Sequence, residues 1–120
     1  MVSKSYEDLV VWQRAIDLAP KVYELLKSFP KHETNALADQ IRRAVVSIPA
    51  NIAEGQARRS KKEFLQHLSI ARGSLAELHT LLIVAQRLSY LTAPQLQEIA
   101  QDLALIGKPL AGLMSHLKSD

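Results

Sequence analysis

The sequence predicts an all-α protein, an up-and-down antiparallel four-helix bundle in which residues 1–120 form a single domain. Three observations favour this fold. Apolar residues recur at steps of three and four along most of the chain, which is the spacing of one helix face. Only four Gly and five Pro interrupt the pattern. No stretch alternates with period two for long enough to form a strand, so four amphipathic helices must bury their apolar faces against one another.

The first predicted helix begins at Ser5, the expected N-cap, because Glu7 and Asp8 follow in the first turn, where the helix dipole favours acids. It ends at Phe29 and Pro30, since the residue before a proline avoids the helical conformation.

Two apolar stripes run along this first helix, although a helix in a lone bundle needs only one, about 100° wide. The first stripe consists of Leu9, Trp12, Ile16, Ala19, Tyr23 and Leu26. The second stripe consists of Val11, Ala15, Leu18, Val22, Leu25 and Phe29. A contiguous apolar excess indicates a surface for self-association. The alternative is a wide core face with ordinary surface apolar residues.

The second helix is expected to begin between Glu33 and Asn35 and to end near Gly55, a residue favoured just beyond a helix C-terminus. A second glycine, Gly73, is expected to permit a close contact between helices. The neighbouring Ser74 lacks the surroundings of a nucleophile.

The third and fourth helices each open with capping-box spacing, in which an N-cap hydroxyl and a side chain three residues later exchange hydrogen bonds. The pairs are Ser60 with Glu63 and Thr92 with Gln95. Leucine, isoleucine and alanine then repeat at heptad spacing through both segments, which predicts long, core-facing helices.

The chain is only mildly basic overall, with a net charge of +3, but its charge is unevenly distributed. The segment 41–62 has six cations against Glu54 alone, a balance of +5, which leaves −2 for the rest of the chain. The candidate nucleic-acid-binding residues are Arg42, Arg43, Arg58, Arg59, Lys61 and Lys62. A solvated loop that only aids solubility is the alternative reading. The few aromatic residues sit mostly at core spacing, so any binding should involve the backbone of RNA or DNA.

Catalytic and metal-binding patterns are missing from the sequence. There is no cysteine, no Glu-x-x-His pair of the kind that builds di-iron sites in bundles, no phosphate-binding glycine loop and no nucleophile elbow. Glu63 and His67, four residues apart, are expected to make no more than an exposed contact. We therefore expect a protein that is not an enzyme and has no metal or cofactor. The absence of cysteine, of a signal peptide and of a membrane-spanning run predicts a cytoplasmic location.

One polar row on the second helix predicts a structural network. Ser47, Asn51 and Glu54 share a helix face, and Ser74 and Glu77 of the third helix are expected to meet them. Pro49 lies beside this row and deprives the Val45 carbonyl of its usual amide donor. The alternative is a catalytic carboxylate in the row.

Several stretches together resemble a known family. They are residues 6–15, 29–30, 39–55, 59–64 and 70–78. They resemble the four-helix-bundle proteins encoded by intervening sequences in bacterial 23S ribosomal RNA genes. The polar and basic positions that match the family's motif are Gln40, Arg42, Arg43, Asn51, Glu54 and Arg59. His79 departs from the pattern, in which an acidic residue is expected after Glu77 and Leu78.

The resemblance implies an up-and-down bundle that assembles as a homopentamer. A related protein, the accessory variability determinant of diversity-generating retroelements, uses a basic surface of its pentamer to engage nucleic acid and a reverse transcriptase. The resemblance therefore implies RNA or DNA, and a reverse transcriptase or another protein, as partners. It implies no particular activity for the intervening-sequence members themselves.

The sequence thus leads to one main expectation and one alternative. We expect a non-enzymatic homo-oligomer, pentameric by the resemblance, that binds RNA or DNA backbone without sequence specificity. The alternative is a protein-interaction adaptor or scaffold with no direct role in nucleic-acid binding. No membrane partner is expected.

Overall fold

The computed structural model describes residues 5–119 and confirms the predicted all-α, four-helix fold. The helices are α1, α2, α3 and α4, which span Val10–Leu26, Leu37–Ala57, Lys61–Arg87 and Ala93–Lys118. They form an elongated molecule of 46 × 25 × 19 Å. Short connections join consecutive helices, so the chain runs up and down along the long axis.

The four helices occupy the corners of a square in chain order. Each helix packs against its two sequence neighbours, and α1 packs against α4, whereas the diagonal pairs make no close approach among the described residues. The outer face formed by α1 and α2 therefore lies opposite the face formed by α3 and α4. A single apolar core runs down the centre, and its largest fully buried side chains include Leu18, Ile48, Leu78, Leu82 and Leu110.

The N-caps predicted for α3 and α4 are observed, but of the two predicted capping boxes the structure shows both bonds in α4 and only the Ser60 bond in α3. The Ser60 hydroxyl accepts a hydrogen bond from the amide of Glu63 at 3.0 Å. Thr92 and Gln95 complete both halves of a capping box, with bonds of 2.8 and 3.2 Å. These bonds satisfy amides that have no partner inside the helix.

The start of the first helix differs from the prediction. Ser5 caps a single 3-10 turn, Tyr6–Asp8, and α1 begins only at Val10. The reason is Leu9, whose extended backbone (φ −81°, ψ 126°) separates the turn from the helix. α1 also ends at Leu26, before the predicted Phe29.

Gly55 does not end α2, which continues to Ala57. It is buried, and a Cβ atom built on it would lie 2.6 Å from the Cβ of His67. The missing side chain therefore allows α2 and α3 to approach closely at this point. That role was predicted for Gly73, and the prediction was wrong: Gly73 is exposed, and a Cβ there would meet nothing within 4 Å.

The two stripes of α1 differ in their burial. The second stripe enters the core, with Leu26 in place of the predicted Leu25. The first stripe stays at the surface: Trp12 and Ala19 are half-buried, and Ile16 and Tyr23 are 40% and 44% exposed. Apolar surface on α1 thus remains uncovered within one chain.

α3 is long and apolar enough to cross a membrane by length and composition alone. Three of its leucines, Leu68, Leu78 and Leu82, are fully buried in the bundle, whereas Ile70 and Val84 are exposed. The core helix of a bundle has the same composition, so this property gives only weak support to a membrane span.

Candidate nucleic-acid interface

The six cations predicted from the sequence do not form one cluster. Arg42 and Arg43 lie in the first half of α2, and fifteen residues of helix, about 22 Å, separate Arg43 from Arg58. Both are paired with Asp39, at 3.6 and 3.3 Å. Arg42 also donates to the carbonyl of Thr34 at 2.6 Å. These two arginines stabilise the start of α2, and their charges are partly neutralised.

The other four predicted cations lie where α2 ends and α3 begins. Arg58 is paired there with Glu54 at 3.2 Å and approaches Glu63 at 3.9 Å. Within the described part of the chain, neither Arg59 nor Lys62 contacts a carboxylate, and both are exposed. This end of the bundle therefore retains positive charge that the protein itself does not neutralise.

Two further cations, which sequence reasoning missed, lie near the same end. Arg72 is on α3, three turns after its start, and Lys118 is the last residue of α4. Both are exposed, and neither pairs with an acid among residues 5–119. Because α3 and α4 are antiparallel, the end of α4 lies beside the start of α3. A pattern confined to one segment could not reveal this neighbourhood.

A groove of about 630 Å³ lies between α3 and α4 at this end. Four cations line it: Lys61, Lys62, Arg72 and Lys118. Its apolar side chains are Leu65, Met114 and Leu117. The polar residues Gln66 and Ser69 also line the groove, and none of the described lining residues carries a carboxylate. We call this feature the α3–α4 groove. Its charge and shape suit an anionic ligand that has some apolar surface.

The polar row on α2 forms a hydrogen-bonded chain with α3. The hydroxyls of Ser47 and Ser74 are 2.8 Å apart. The Asn51 side-chain amide donates to the carbonyl and the hydroxyl of Ser47, at 2.9 and 3.0 Å. Nδ1 of His67 lies 3.2 Å from Oδ1 of Asn51. We call these four residues the polar chain; it joins α2 and α3 beside the core.

Two of the predicted members do not belong to the polar chain. Glu54 points to Arg58, and Glu77 is exposed. His67, which was expected to make only an exposed contact with Glu63, is half-buried and takes their place. The side-chain nitrogen of Asn51 faces Ser47, so the side-chain oxygen of Asn51 faces His67. Because that oxygen can only accept, Nδ1 of His67 is the donor. The spacing of residues on α3 could not reveal a partner on α2.

A second cluster joins the two loops at the opposite end of the bundle. The Tyr90 hydroxyl donates to Glu33 at 2.8 Å and lies 3.4 Å from Nε2 of His32. The Tyr90 ring also packs on Phe29, with centroids 5.3 Å apart. The hydrogen bond to Glu33, with desolvation and the charge of Glu33, raises the pKa of Tyr90 above its usual 10.0. Nowhere in residues 5–119 do three potential metal ligands converge.

Comparisons with known proteins agree with this geometry. The chain matches a solved structure from Bacteroides thetaiotaomicron, described as a protein of unknown function from the S23 ribosomal protein family. The two are 29% identical with a TM-score of 0.79, over 88% of this chain and 98% of that one. No curated protein matches the chain. The family model described as 23S rRNA-intervening sequence protein matches residues 7–112. With nearly its whole length covered, the chain belongs to the family of 23S rRNA-intervening sequence proteins.

Proposed function

We propose that this protein is a non-enzymatic homo-oligomer that binds the backbone of RNA or DNA without sequence specificity. The observation that carries the binding proposal is the unpaired positive charge at one end of the bundle. Arg59, Lys62, Arg72 and Lys118 are exposed there, and none of them contacts an acid among the described residues. Such cations can pair with phosphates without first breaking an internal ion pair.

The same surface lacks the means to read bases. The aromatic residues near this end, Trp12 and Phe64, are half-buried: the Trp12 ring packs on Tyr6, and Phe64 packs against the core. Among the described residues, none that lines the α3–α4 groove is aromatic. Recognition would therefore be electrostatic, and its affinity should fall steeply as salt displaces the condensed counterions. Arg42 and Arg43 are not expected to contribute, because Asp39 already pairs with them.

Self-association is proposed through the face formed by α1 and α2. Ile16 and Tyr23 are about two-fifths exposed there, and Val46 is similarly exposed beside Tyr23. A contiguous apolar surface of this kind is typical of an interface between subunits. We propose a pentamer, as the family resemblance implies. Since the α3–α4 groove lies on the opposite face, assembly would leave it open.

The oligomeric state is tested by light scattering coupled to size-exclusion chromatography. The wild-type protein should elute at about five times the 13.4 kDa chain mass. Replacing Ile16 and Tyr23 by Glu should yield monomers, because charges would be buried at the interface. The matched control replaces two exposed apolar residues, Val84 near the end of α3 and Leu88 directly after it, by Glu. Monomeric wild-type protein, or equal dissociation of both variants, would overturn the proposed interface.

Nucleic-acid binding is tested by fluorescence anisotropy with labelled RNA and DNA at several salt concentrations. Reversal of Arg59 and Lys62 to Glu should weaken binding at least tenfold and reduce the slope of log affinity against log salt. The magnitude of this slope should fall by about 0.7 to 0.9 for each cation that no longer pairs with a phosphate. The control reverses Arg87 and Lys108, two exposed cations that are also without an acidic partner among the described residues.

The outcomes separate this function from that of a protein adaptor. An adaptor would bind no nucleic acid at low salt, or would bind it equally well after either pair of reversals. Both results contradict the proposal, and the oligomer measurement remains independent of them.

A further inference from the structure

We infer that the ligand of the α3–α4 groove is a single strand of nucleic acid rather than a duplex. This inference rests on the proposed function and adds the site and the form of the ligand. Three properties of the groove carry it: its charge, its apolar floor and its position between two packed helices.

The cations lie along the groove and not only at its mouth. Lys62 and Arg72 are separated by ten residues of α3, a rise of about 15 Å. Successive phosphates of an extended strand lie several ångströms apart, so this length accommodates a few nucleotides. Lys118 faces them from α4. A strand that follows the groove would meet positive charge along its path and, within residues 5–119, no carboxylate in the lining.

The floor of the groove provides contacts that only an unstacked strand can use. Leu65 and Leu117, both half-buried, present apolar surface between the cations, and the buried Met114 lies beneath them. Exposed bases and sugars of a single strand can cover this surface and remove it from water. A duplex keeps its bases stacked inside and presents phosphates outward. Its phosphates could reach the cations that border the floor but would leave the apolar surface itself uncovered.

The position of the groove between two packed helices also favours a single strand. The axes of packed helices lie about 8–10 Å apart, so the cations of α3 and Lys118 of α4 border a strip of surface of about that separation. A duplex is wider than this separation and could touch only the rim. A single strand can enter and bring its phosphates to Lys62, Arg72 and Lys118 together.

The test measures the affinity of wild-type protein for a twelve-nucleotide single strand of mixed sequence and for the duplex of the same sequence. The single strand should bind at least tenfold more tightly at the same salt concentration. Reversal of Arg72 and Lys118 to Glu should remove this preference. The control, reversal of Arg87 and Lys108, changes the net charge equally outside the groove and should preserve it. Thermal melting of each variant establishes that it is folded.

A second variant tests the apolar floor. Leu117 is half-buried in the last turns of α4, so Leu117→Asn should leave the fold intact. It should weaken single-strand binding several-fold without changing the salt slope, because no charge is altered. A reduced slope, or an affinity equal to that of the wild type, would argue against bases on the floor.

The failures of the two proposals are distinguishable. If the wild-type protein binds neither form of nucleic acid, the proposed function itself fails. If it binds nucleic acid but the duplex binds as tightly as the single strand, or the groove reversals act like the control, only the groove inference fails. A short acidic peptide that forms an amphipathic helix serves as a competitor. If it displaces the bound strand and binds the groove more tightly than the strand does, the groove is a protein-docking site and the inference is overturned.

Discussion

Arg14 of α1 donates a hydrogen bond to the main-chain carbonyl of Leu105 in α4, with 2.6 Å between Nη1 and the oxygen. In a regular helix this carbonyl would accept from the amide of residue 109, but that residue is Pro109, which has no N–H. A side chain from the neighbouring helix thus replaces the missing donor. The proline and the arginine, 95 positions apart in the sequence, form one structural unit.

Replacing Arg14 should lower the free energy of unfolding more when Pro109 is present than when alanine stands in its place. Arg14→Met should lower the free energy of unfolding by about 1 kcal/mol, less than the roughly 1.5–3 kcal/mol usual for a charged donor, because the site is exposed. In a Pro109→Ala background the amide of residue 109 can donate to Leu105, so the same change should cost less. Urea unfolding of the four proteins gives the coupling energy. Equal costs in both backgrounds would show that the two residues act independently.

The two glycines of the central helices should respond oppositely to alanine. Gly55→Ala should destabilise the protein by about 1–3 kcal/mol, because the new methyl group would overlap His67. Gly73→Ala should stabilise it by about 0.5–1 kcal/mol, since Gly73 is exposed within α3 and space around it is free. Both are measured by thermal or urea unfolding. A neutral Gly55→Ala would mean that α2 and α3 can separate there without cost.

The polar chain should depend on its central amide. Asn51→Ala removes the donor to Ser47 and the acceptor for His67, so it should cost about 1–2 kcal/mol of unfolding free energy. Glu54→Gln is the control, because Glu54 lies on the same helix but pairs only with exposed Arg58. That change should cost less than about 0.5 kcal/mol. Equal effects would contradict a structural role for the polar chain.

Tyr90 should make the protein sensitive to alkaline pH. Its pKa is raised above 10.0 in the folded state because its hydroxyl donates to Glu33. The hydrogen bond therefore contributes its full stabilisation below pH 10. That contribution is lost as the pH rises through the raised pKa of the folded state, because Tyr90 ionises more easily in the unfolded chain than in the folded one. Tyr90→Phe should flatten this alkaline decline. The measurement is urea unfolding at a series of pH values, with ultraviolet absorbance following tyrosinate formation.

Sequence reasoning predicted the features that are local and missed those that depend on packing between helices. The caps at Ser60 and Thr92 require only residues within one turn, so the sequence revealed them. Ser47 and Asn51 share a face of one helix and were predicted together for the same reason. Their partner His67 belongs to another helix, and its register against α2 is set by the close approach at Gly55. No pattern within a single helix contains that register.

The charge distribution illustrates the same limit. Arg42, Arg43, Arg58 and Arg59 are near one another in sequence, but the rise of α2 places the two pairs at different ends of the helix. Arg72 and Lys118 are distant in sequence, but antiparallel packing brings both to the α3–α4 groove. The sequence therefore predicted a basic surface and two of the cations in the groove, Lys61 and Lys62, but not Arg72 and Lys118.

The apolar α1–α2 face lies opposite the α3–α4 groove, and this placement should make the apparent affinity depend on the length of the bound strand. If subunits join through the first face, their grooves point outward and are repeated around the ring. A strand long enough to reach the next copy would bind the second groove at a high effective concentration, so avidity would multiply the weak affinity of each site. Apparent affinity should then rise in steps as the strand is lengthened, and a monomeric variant should show no such steps.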